Sequence, residues 1–212
     1  MATALGSYAT AALIKERAGI TDSTDDTVIG RVADQVNMYV ERETQRVLAP
    51  ITGTPVMIWD GSGENCLFLP FTQDATYPYI GGLRAITTLE LQLYTGAGYE
   101  TIAAGDYFLR GQSQPGAPFD WLYLSDHPAG AYYTFPKGYA TVRITATAGW
   151  SAIPDDIVDV ALTLGVRLWH AIQTGQQDLV GTDDMGQPLV SRLLSARDRD
   201  TLRAYKPGRN LG

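Results

Sequence analysis

The chain has 212 residues, of which 45% are hydrophobic, and its 16 lysines and arginines against 23 aspartates and glutamates give a net charge of -7. These values predict a packed core in one sizeable domain or two small ones. The acidic balance argues against general nucleic-acid binding, because phosphate is repelled unless cationic residues gather on one patch.

Residues for common catalytic and metal sites are scarce. Cys66 is the single cysteine, which excludes an intrachain disulfide and a cysteine-built zinc site. The only histidines, His127 and His170, have no nucleophile or carboxylate at a recognised spacing. We therefore predict no enzyme activity, catalytic residue, cofactor or metal. No apolar run is long enough to cross a membrane and the first residues lack a secretion signal, so we expect a soluble protein made in the cytoplasm.

Two helices are predicted in residues 1–50. Ser7 can cap a short helix that ends near Ala18, with Gly19 as its stop. A polar linker from Ile20 to Asp26 precedes a second helix, in which apolar residues recur at helical spacing: Val28, Ile29, Val32, Val36, Tyr39, Val40 and Val47.

Residues 51–149 have a different texture, typical of β structure. Short apolar or alternating runs are separated by glycine, proline and aspartate: Val56–Trp59, Leu67–Leu69, Leu89–Tyr94, Tyr107–Leu109, Trp121–Leu124 and Thr141–Ala146. Alternation with period two predicts strands with one solvent-exposed face. We therefore expect these strands to form an inserted antiparallel β sandwich or barrel. The predicted fold class is therefore α+β.

The main helix is predicted over about residues 154–174, within a second helical part at 150–180. Proline suits a first helical turn, and Asp155 and Asp156 face the positive end of the helix dipole. The junction between the β region and this helix consists of Gly149, Trp150, Ile153 and Pro154.

Polar residues of the main helix fall on one thin stripe: Asp156, Asp159, Thr163, Arg167, His170 and Thr174. Its apolar residues form two adjoining faces, the first with Ile157, Ala161, Leu164, Leu168 and Ile172 and the second with Val158, Leu162, Gly165 and Trp169. A surface helix usually has one apolar face, so we expect one face to pack within the domain and the other to pack on another molecule.

Residues 181–212 form a tail, predicted as an extended segment and a last helix from Ser195 to about Tyr205. A polar, loop-like stretch at 175–188 leads into this tail and overlaps its start. From Ser191 onward this tail carries six cationic residues and two aspartates: Arg192, Arg197, Asp198, Arg199, Asp200, Arg203, Lys206 and Arg209. It is either a solvated helix or a docking element for an acidic partner surface. We expect a chain that ends before Ser191 to fold.

Other patterns have ordinary interpretations. The pairs Asp25/Asp26 and Asp155/Asp156 suit helix starts better than acid-base chemistry, while Asp183/Asp184 have no such position. The glycines around Ser62 and Ala97 indicate hairpin turns, because neither precedes a helix start with the lysine of a phosphate loop. Aromatic residues of the β region fit its core or a subunit contact, with a carbohydrate or protein-binding surface as the alternative: Tyr77, Tyr79, Trp121, Tyr132, Tyr133 and Phe135.

Three places give the chain a resemblance to the head-to-tail connector, or adaptor, proteins of long-tailed bacteriophages and gene transfer agents. Gly149-Trp150, Ile153-Pro154, Asp156-Ile157 and Ala161 resemble the signature that opens the family's main helix. The N-terminal helix pair ends in Thr44-Gln45-Arg46, where the family often has Thr-Gly-Arg, so Gln45 departs from the pattern. Leu202-Arg203-Ala204-Tyr205 is similar to the family's terminal Leu-x-x-Tyr.

The resemblance implies a non-enzymatic virion protein of the neck. Such a protein has a small helical core with a β insertion, and it forms a ring, dodecameric in the family, beneath the portal protein. The ring extends the DNA channel without sequence-specific DNA binding and presents a surface to a stopper or tail-terminator protein. It implies that the tail docks on the portal through Arg192, Arg197, Arg199, Leu202, Arg203, Tyr205 and Lys206. It also allows the stripe residues Asp156, Asp159, Thr163 and Arg167 to face the channel.

Two other functions compete with the connector. A tail terminator or stopper is favoured if the β region, rather than the helices, forms the ring. A β-sandwich carbohydrate-binding module or hydrolase would need exposed aromatic residues in a groove or a carboxylate pair on strands.

Overall fold

The computed structural model describes residues 6–72, 79–94, 96–113, 115–126, 132–174 and 194–207. Its helices are α1 (Ala11–Ala18), α2 (Asp26–Thr44), α3 (Asp155–Gln173) and α4 (Ala196–Ala204). Its strands are β1 (Val56–Gly61), β2 (Cys66–Phe68), β3 (Leu83–Gln92), β4 (Tyr99–Ile102), β5 (Tyr107–Gln112), β6 (Phe119–Leu124) and β7 (Gly138–Ala148). The predicted α+β class is confirmed. The predicted loop at 175–188, Asp183/Asp184 and Arg209 lie outside the described residues.

The chain divides into two compact units. The helical unit contains residues 1–44 and 153–206, so it is assembled from two separate segments of sequence. The β unit contains residues 45–152, a continuous segment, together with residues 207–212.

In the helical unit, α1, α2 and α3 pack on one another, and α4 packs on α2 and α3. Apolar side chains at helical spacing on α2 are fully buried, including Ile29, Val36 and Val40. Thr10, rather than the predicted Ser7, caps α1 by accepting a hydrogen bond from the Leu13 amide. The predicted stop is present, because Gly19 ends α1 in a left-handed conformation.

Two polar side chains of α2 hold the segment that precedes α1. Glu41 Oε1 accepts hydrogen bonds from the Gly6 amide at 2.6 Å and from the Tyr8 hydroxyl at 3.2 Å. Asn37 accepts from the Ala9 amide and donates to the Ala9 carbonyl. All these groups are buried, so the pairing satisfies polar atoms that water cannot reach.

The β unit is a single curled antiparallel sheet, so the predicted sandwich or barrel takes the form of a half-barrel. The main path of hydrogen-bonded strands is β1-β7-β3-β6-β2, with β4 paired to β3 and β5 paired to β6. Strands β3 and β7 form its long centre, where Leu89 and Leu91 lie beside Ile144 and Val142, and all four are fully buried. The core of the unit therefore lies against one face of the sheet.

The other face of β3 and β7 carries charge. Arg143 donates two hydrogen bonds to Glu90, from Nε at 2.7 Å and from Nη2 at 2.5 Å. The hydrogen bond from Arg143 lowers the pKa of Glu90 below its ordinary value. The guanidinium also lies 4.1 Å from the centre of the Tyr99 ring on β4. This contact joins β7 to β4 across β3.

The two ends of the 45–152 segment are bound to each other. Pro50 pairs with Gly149 as an isolated antiparallel bridge, and the Trp150 amide donates to the Ala49 carbonyl at 3.2 Å. Arg46 fixes the entering end to the sheet through an ion pair with Asp120 at 2.9 Å, and both side chains are largely buried.

No described helix is both long enough and apolar enough to cross a membrane.

Candidate functional site: the polar stripe of α3 and helix α4

Helix α3 begins where the sequence predicts. Pro154 precedes its first residue, and the Pro154 carbonyl accepts hydrogen bonds from the Ile157 and Val158 amides, both at 3.1 Å. Asp155 and Asp156 occupy the first turn, where they complement the positive end of the helix dipole. The charged start therefore matches the capping interpretation of these two aspartates.

Both apolar faces of α3 contribute to the core of the helical unit. Ile157, Ala161 and Leu164 of the first face are fully buried, and so are Gly165 and nearly all of Trp169 on the second. A Cβ atom added at Gly165 would lie 2.8 Å from Ile14 Cδ1, so α1 packs directly on the second face. At Gly165 the second face is therefore covered by α1 within the helical unit, and its contact with another molecule stays a prediction.

Helix α1 also reaches the polar stripe of α3. Arg17 Nη1 donates to Asp159 Oδ1 at 2.7 Å, and Arg17 Nη2 donates to Thr163 Oγ1 at 3.2 Å. Both Arg17 and Asp159 are exposed, so water screens this ion pair. Two of the four predicted channel-facing residues thus bind α1.

The other two stripe residues meet the tail. The Tyr205 hydroxyl donates to both carboxylate oxygens of Asp156, at 2.8 and 3.0 Å. Arg167 forms an ion pair with Asp198 at 3.5 Å. The stripe and the tail, which the sequence presents as separate candidate sites, are therefore two sides of one surface.

Helix α4 is held by a complete capping box. Ser195 accepts from the Asp198 amide, and the Asp198 carboxylate accepts from the Ser195 amide. Lys206, just after the helix, binds Glu43 of α2 at 3.0 Å. Leu194 and Leu202 are buried. The expectation that the chain folds independently of this tail conflicts with that burial, because its removal would expose apolar surface on α2 and α3.

The predicted portal-docking residues have different environments. Leu202 lies in the core, and Tyr205 and Lys206 bind within the helical unit. Arg199 is half-buried and donates to the Leu194 carbonyl at 3.4 Å. Arg197 and Arg203 are exposed, with Arg203 only 3.9 Å from Asp200 in a weak surface pair. Arg192 lies outside the described residues.

The four predicted junction residues divide between the two units. Gly149 has φ of 72°, and a Cβ atom there would lie 2.2 Å from the Ala49 carbonyl oxygen, so only glycine fits. Trp150 is buried in the β unit. In the helical unit, Ile153 and Pro154 are half-buried residues that lead into α3.

The residue types considered for catalysis and metal binding have the following environments in the described part of the chain. Burial, and then the nearby charge of Glu64, raise the pKa of the Cys66 thiol, which disfavours the reactive thiolate. The parts of the chain that the structure describes contain no group of three metal-ligating side chains. His170 is exposed on α3, and His127 lies outside the described residues.

The aromatic residues of the β region separate into core and surface. Phe135 is fully buried, whereas Tyr79, Trp121 and Tyr132 are half-buried and Tyr133 is exposed. Tyr77 lies outside the described residues. The core interpretation therefore holds for Phe135, and a binding surface at Tyr133 stays a prediction.

Sequence reasoning missed the α1 contribution to the stripe. Arg17 lies one turn after Ile14, so the same side of a short helix carries both an apolar anchor and a cation. This spacing is present in the sequence, but the partners of Arg17 on α3, Asp159 and Thr163, are 142 and 146 residues away in the chain. A pairing of that kind depends on the tertiary fold.

No family model and no curated protein matches the chain. Solved structures do match it. The chain is similar to a chain in "Neck of empty GTA particle computed with C6 symmetry", with a TM-score of 0.56 and 16% identity, over 100% of this chain and 96% of that one. It is also similar to chains in "Neck of native GTA particle computed with C12 symmetry" (TM-score 0.52, 15% identity) and "Virion of native gene transfer agent (GTA) particle" (TM-score 0.55, 14% identity), with the same coverage of both chains. At these identities the likeness establishes the fold, over the whole chain, and confirms the fold that the connector resemblance implies.

Proposed function

We propose that the protein is a structural component of the neck of a tailed particle, where it forms a ring that joins the portal to the tail. The observation that carries this proposal is the shared fold with chains from the necks of gene transfer agent particles, because it spans both units and nearly the full length of those chains. The necks in question were computed with sixfold and twelvefold symmetry, which supports a closed ring of copies.

In this role the helical unit, made of residues 1–50 and 150–180 in the sequence-based division, forms the ring core. The β domain, 51–149, is inserted between the two parts of this core in the sequence, and the segment 181–212 meets the portal protein. A stopper or tail-terminator protein binds the opposite side of the ring. Twelve copies are expected by family resemblance, with DNA passing through the centre.

The portal contact is best assigned to the exposed cations of α4. Arg197 and Arg203 are accessible, while Leu202 anchors the helix by burial and Tyr205 fixes it to α3. A rigid helix presents its outward charges at fixed positions, which favours recognition of an acidic surface. Arg192 and Arg199 belong to the same proposed surface.

The channel side is best assigned to the acidic start of α3. Asp155, Asp156 and Asp159 are exposed in its first turns, and Thr163 and Arg167 continue the stripe. Carboxylates repel phosphate, so DNA can slide past without the counterion release that makes lysine and arginine contacts adhesive. This assignment also agrees with the net charge of -7.

The decisive experiment removes the gene from the producing cells and restores it from a plasmid. We expect the deletion to yield DNA-filled heads and free tails, seen by electron microscopy, and the plasmid to restore joined particles. An epitope label on the restored protein should appear at the neck in negative stain. Joined particles that infect or transduce without the gene would refute the proposal. A label at the head-proximal end of the tail tube, in tails that are not joined to heads, would indicate a tail terminator.

The docking surface is tested by Arg197→Glu with Arg203→Glu. We expect this double variant to fold with the thermal midpoint of the parent and to leave heads unjoined, because two favourable charge contacts become repulsive. Arg31→Glu is a matched control, since Arg31 is an exposed arginine on α2. Normal head joining by the double variant would reject the assignment to α4.

A further inference from the structure

One outer surface of the β unit carries aromatic side chains and a single cation. The register of β2, β6 and β5 places Cys66, Tyr123 and Phe108 in one row and Phe68, Trp121 and Arg110 in the next. Neighbouring rings are in contact distance, with Phe68 and Trp121 centroids 4.9 Å apart and Phe108 and Tyr123 stacked at 5.6 Å. We call Phe68, Phe108, Arg110, Trp121 and Tyr123 the aromatic patch.

This patch is accessible to a partner. Phe108 is 40% exposed, Arg110 is exposed, and Phe68, Trp121 and Tyr123 are half-buried. Strand β5, which supplies Phe108 and Arg110, pairs only with β6 among the described strands, so it forms an edge of the sheet. Aromatic residues and arginine are the types enriched in the centre of protein interfaces.

The position of Arg110 determines what the patch can bind. Its guanidinium lies 4.8 Å from the Phe108 ring centre and 5.9 Å from that of Tyr123. The cation therefore covers ring faces that a sugar or a nucleic-acid base would need for stacking. Arg110 has no ion pair within the described residues, and a stacked guanidinium keeps its in-plane N–H groups for a carboxylate. A protein surface with an accessible carboxylate fits this site.

A second apolar surface lies at the end of the same sheet where β3 finishes and β7 begins. Leu93, Tyr94 and Tyr139 are each about two-thirds exposed, at 65%, 64% and 65%. Tyr133 is also exposed, at 62%. The Tyr99 hydroxyl donates to the Ala140 carbonyl at 2.7 Å, which holds β4 against the start of β7. We call Leu93, Tyr94, Glu100, Tyr132, Tyr133 and Tyr139 the tyrosine end.

The tyrosine end carries the carboxylate that the aromatic patch requires. Glu100, on β4, is exposed, and it accepts a hydrogen bond from the Tyr132 hydroxyl at 3.0 Å. Burial, the hydrogen bond to Glu100 and the charge of that carboxylate raise the pKa of Tyr132, so the hydroxyl stays a donor. Glu100 has no salt bridge to any described cation. The Glu100 carboxylate has further lone pairs and can accept a hydrogen bond from a second donor.

We propose that the aromatic patch of one copy of this chain binds the tyrosine end of the next copy, with Arg110 of the first paired to Glu100 of the second. The proposal rests on the proposed ring, and it adds a contact between neighbouring β units to the ring core that the helical units form. A closed ring needs two different, complementary patches on every subunit, one for each neighbour. The β unit has one cationic and one anionic apolar surface on a single compact unit, which meets that requirement.

The first test exchanges the two charges in the full-length protein. Arg110→Glu alone and Glu100→Arg alone should each lower the yield of intersubunit cross-links at least tenfold, because each places like charges opposite one another. The combined variant should recover most of that yield. Glu64→Arg, a charge reversal at an exposed position of the β unit outside both surfaces, is the control, and it should leave the yield unchanged. Loss in the combined variant equal to the product of the single losses would overturn the pairing.

The second test maps the contact directly. A photoreactive benzoylphenylalanine replaces Phe108, and a control chain carries it at Leu13, an exposed residue of α1. Illumination of purified particles, and of the concentrated protein alone, should give chain-to-chain adducts from position 108 that map to residues 93–100 or 132–139. Adducts to another protein, adducts elsewhere in the chain, or none in either sample would reject the proposal.

The two failures can be told apart. If the protein is present in necks but position 108 gives no chain-to-chain adduct, the contact is wrong and the neck function stands. If the protein is absent from particles, the neck function fails, and the adduct pattern of the concentrated protein alone decides the contact.

Discussion

Gln45 adopts a left-handed backbone conformation, with φ of 52°, directly after α2 ends at Thr44. This is the position where the connector family often has glycine, and the geometry explains why glycine suits it: only glycine enters this region without steric cost. The Gln45 side chain is exposed, so it offers little packing in return. Gln45 therefore occupies a backbone conformation that favours glycine.

We therefore predict that Gln45→Gly stabilises the protein. Relief of the left-handed strain is worth about 1–2 kcal/mol, and the greater freedom of glycine in the unfolded chain offsets about 0.4–1 kcal/mol of it. A net gain of about 0.5–1 kcal/mol should appear as a higher urea midpoint at an unchanged slope. Gln45→Ala is the control, since it keeps the strain, and a glycine variant no more stable than the alanine variant would contradict the explanation.

Gly149 is constrained twice, by its positive φ and by the Ala49 carbonyl. Gly149→Ala should therefore destabilise the β unit by several kcal/mol more than Gly53→Ala, because Gly53 has φ of 79° but open space around its Cβ position. Chemical denaturation of both variants measures the difference. Equal losses in the two variants would show that the clash relaxes at no cost.

At the scale of elements, helix α4 shows what periodicity can and cannot predict. Ser195 and Asp198 have the spacing of a capping box, which indicates a helix start, and the structure has that capping box. The burial of Leu202 could not be predicted from α4 itself, whose composition is strongly polar, because its partners lie on α2 and α3. Sequence alone predicts that a single leucine in such a polar helix is exposed, and only the fold shows that it is buried.

Leu202→Ala should lower stability by about 2–5 kcal/mol, the range for a leucine truncated in a packed core. Arg197→Ala, an exposed change in the same helix, should stay within about 0.5 kcal/mol of the parent. Thermal unfolding followed by circular dichroism distinguishes them. Equal stabilities would mean that α4 contributes nothing to the core and that the tail is separable after all.

The strands illustrate a similar limit. Alternation in Thr141 to Ala146 identified the centre of β7, whereas alternation in Leu89 to Leu93 identified only the end of β3, which begins at Leu83 and stops at Gln92. Strand β4 was not predicted, because Tyr99–Ile102 is a four-residue segment after a glycine-rich turn and has only one buried side chain. Its pairing with β3, rather than its own pattern, makes it a strand.

At the scale of the whole molecule, the sequence indicates the change of texture near residues 50 and 149 but not how the polar surfaces meet. This texture is a local property, because it depends on the positions of glycine and proline and on the spacing of the apolar residues. Contacts such as Tyr205 with Asp156, 49 residues apart, and Lys206 with Glu43, 163 apart, depend on helix packing. The candidate surface on α3 and α4 is therefore visible only in three dimensions.

We predict that residues 45–152, expressed alone, fold into the β unit. Their ends are joined by the Pro50–Gly149 bridge and the Trp150–Ala49 hydrogen bond, and Arg46 remains paired with Asp120. The fragment should give dispersed amide resonances and a cooperative unfolding transition. A fragment that begins after Arg46 is the matched control and should be less stable. An unfolded 45–152 fragment would show that the insertion depends on the helices for its stability.

The Ala49–Trp150 hydrogen bond and the adjoining bridge also set a path for mechanical load. Tension applied to the chain between α2 and α3 reaches residues 49 and 150 first, and their pairing bears it before any of the intervening strands is pulled. The strands between these two residues bear tension only after this pairing has opened.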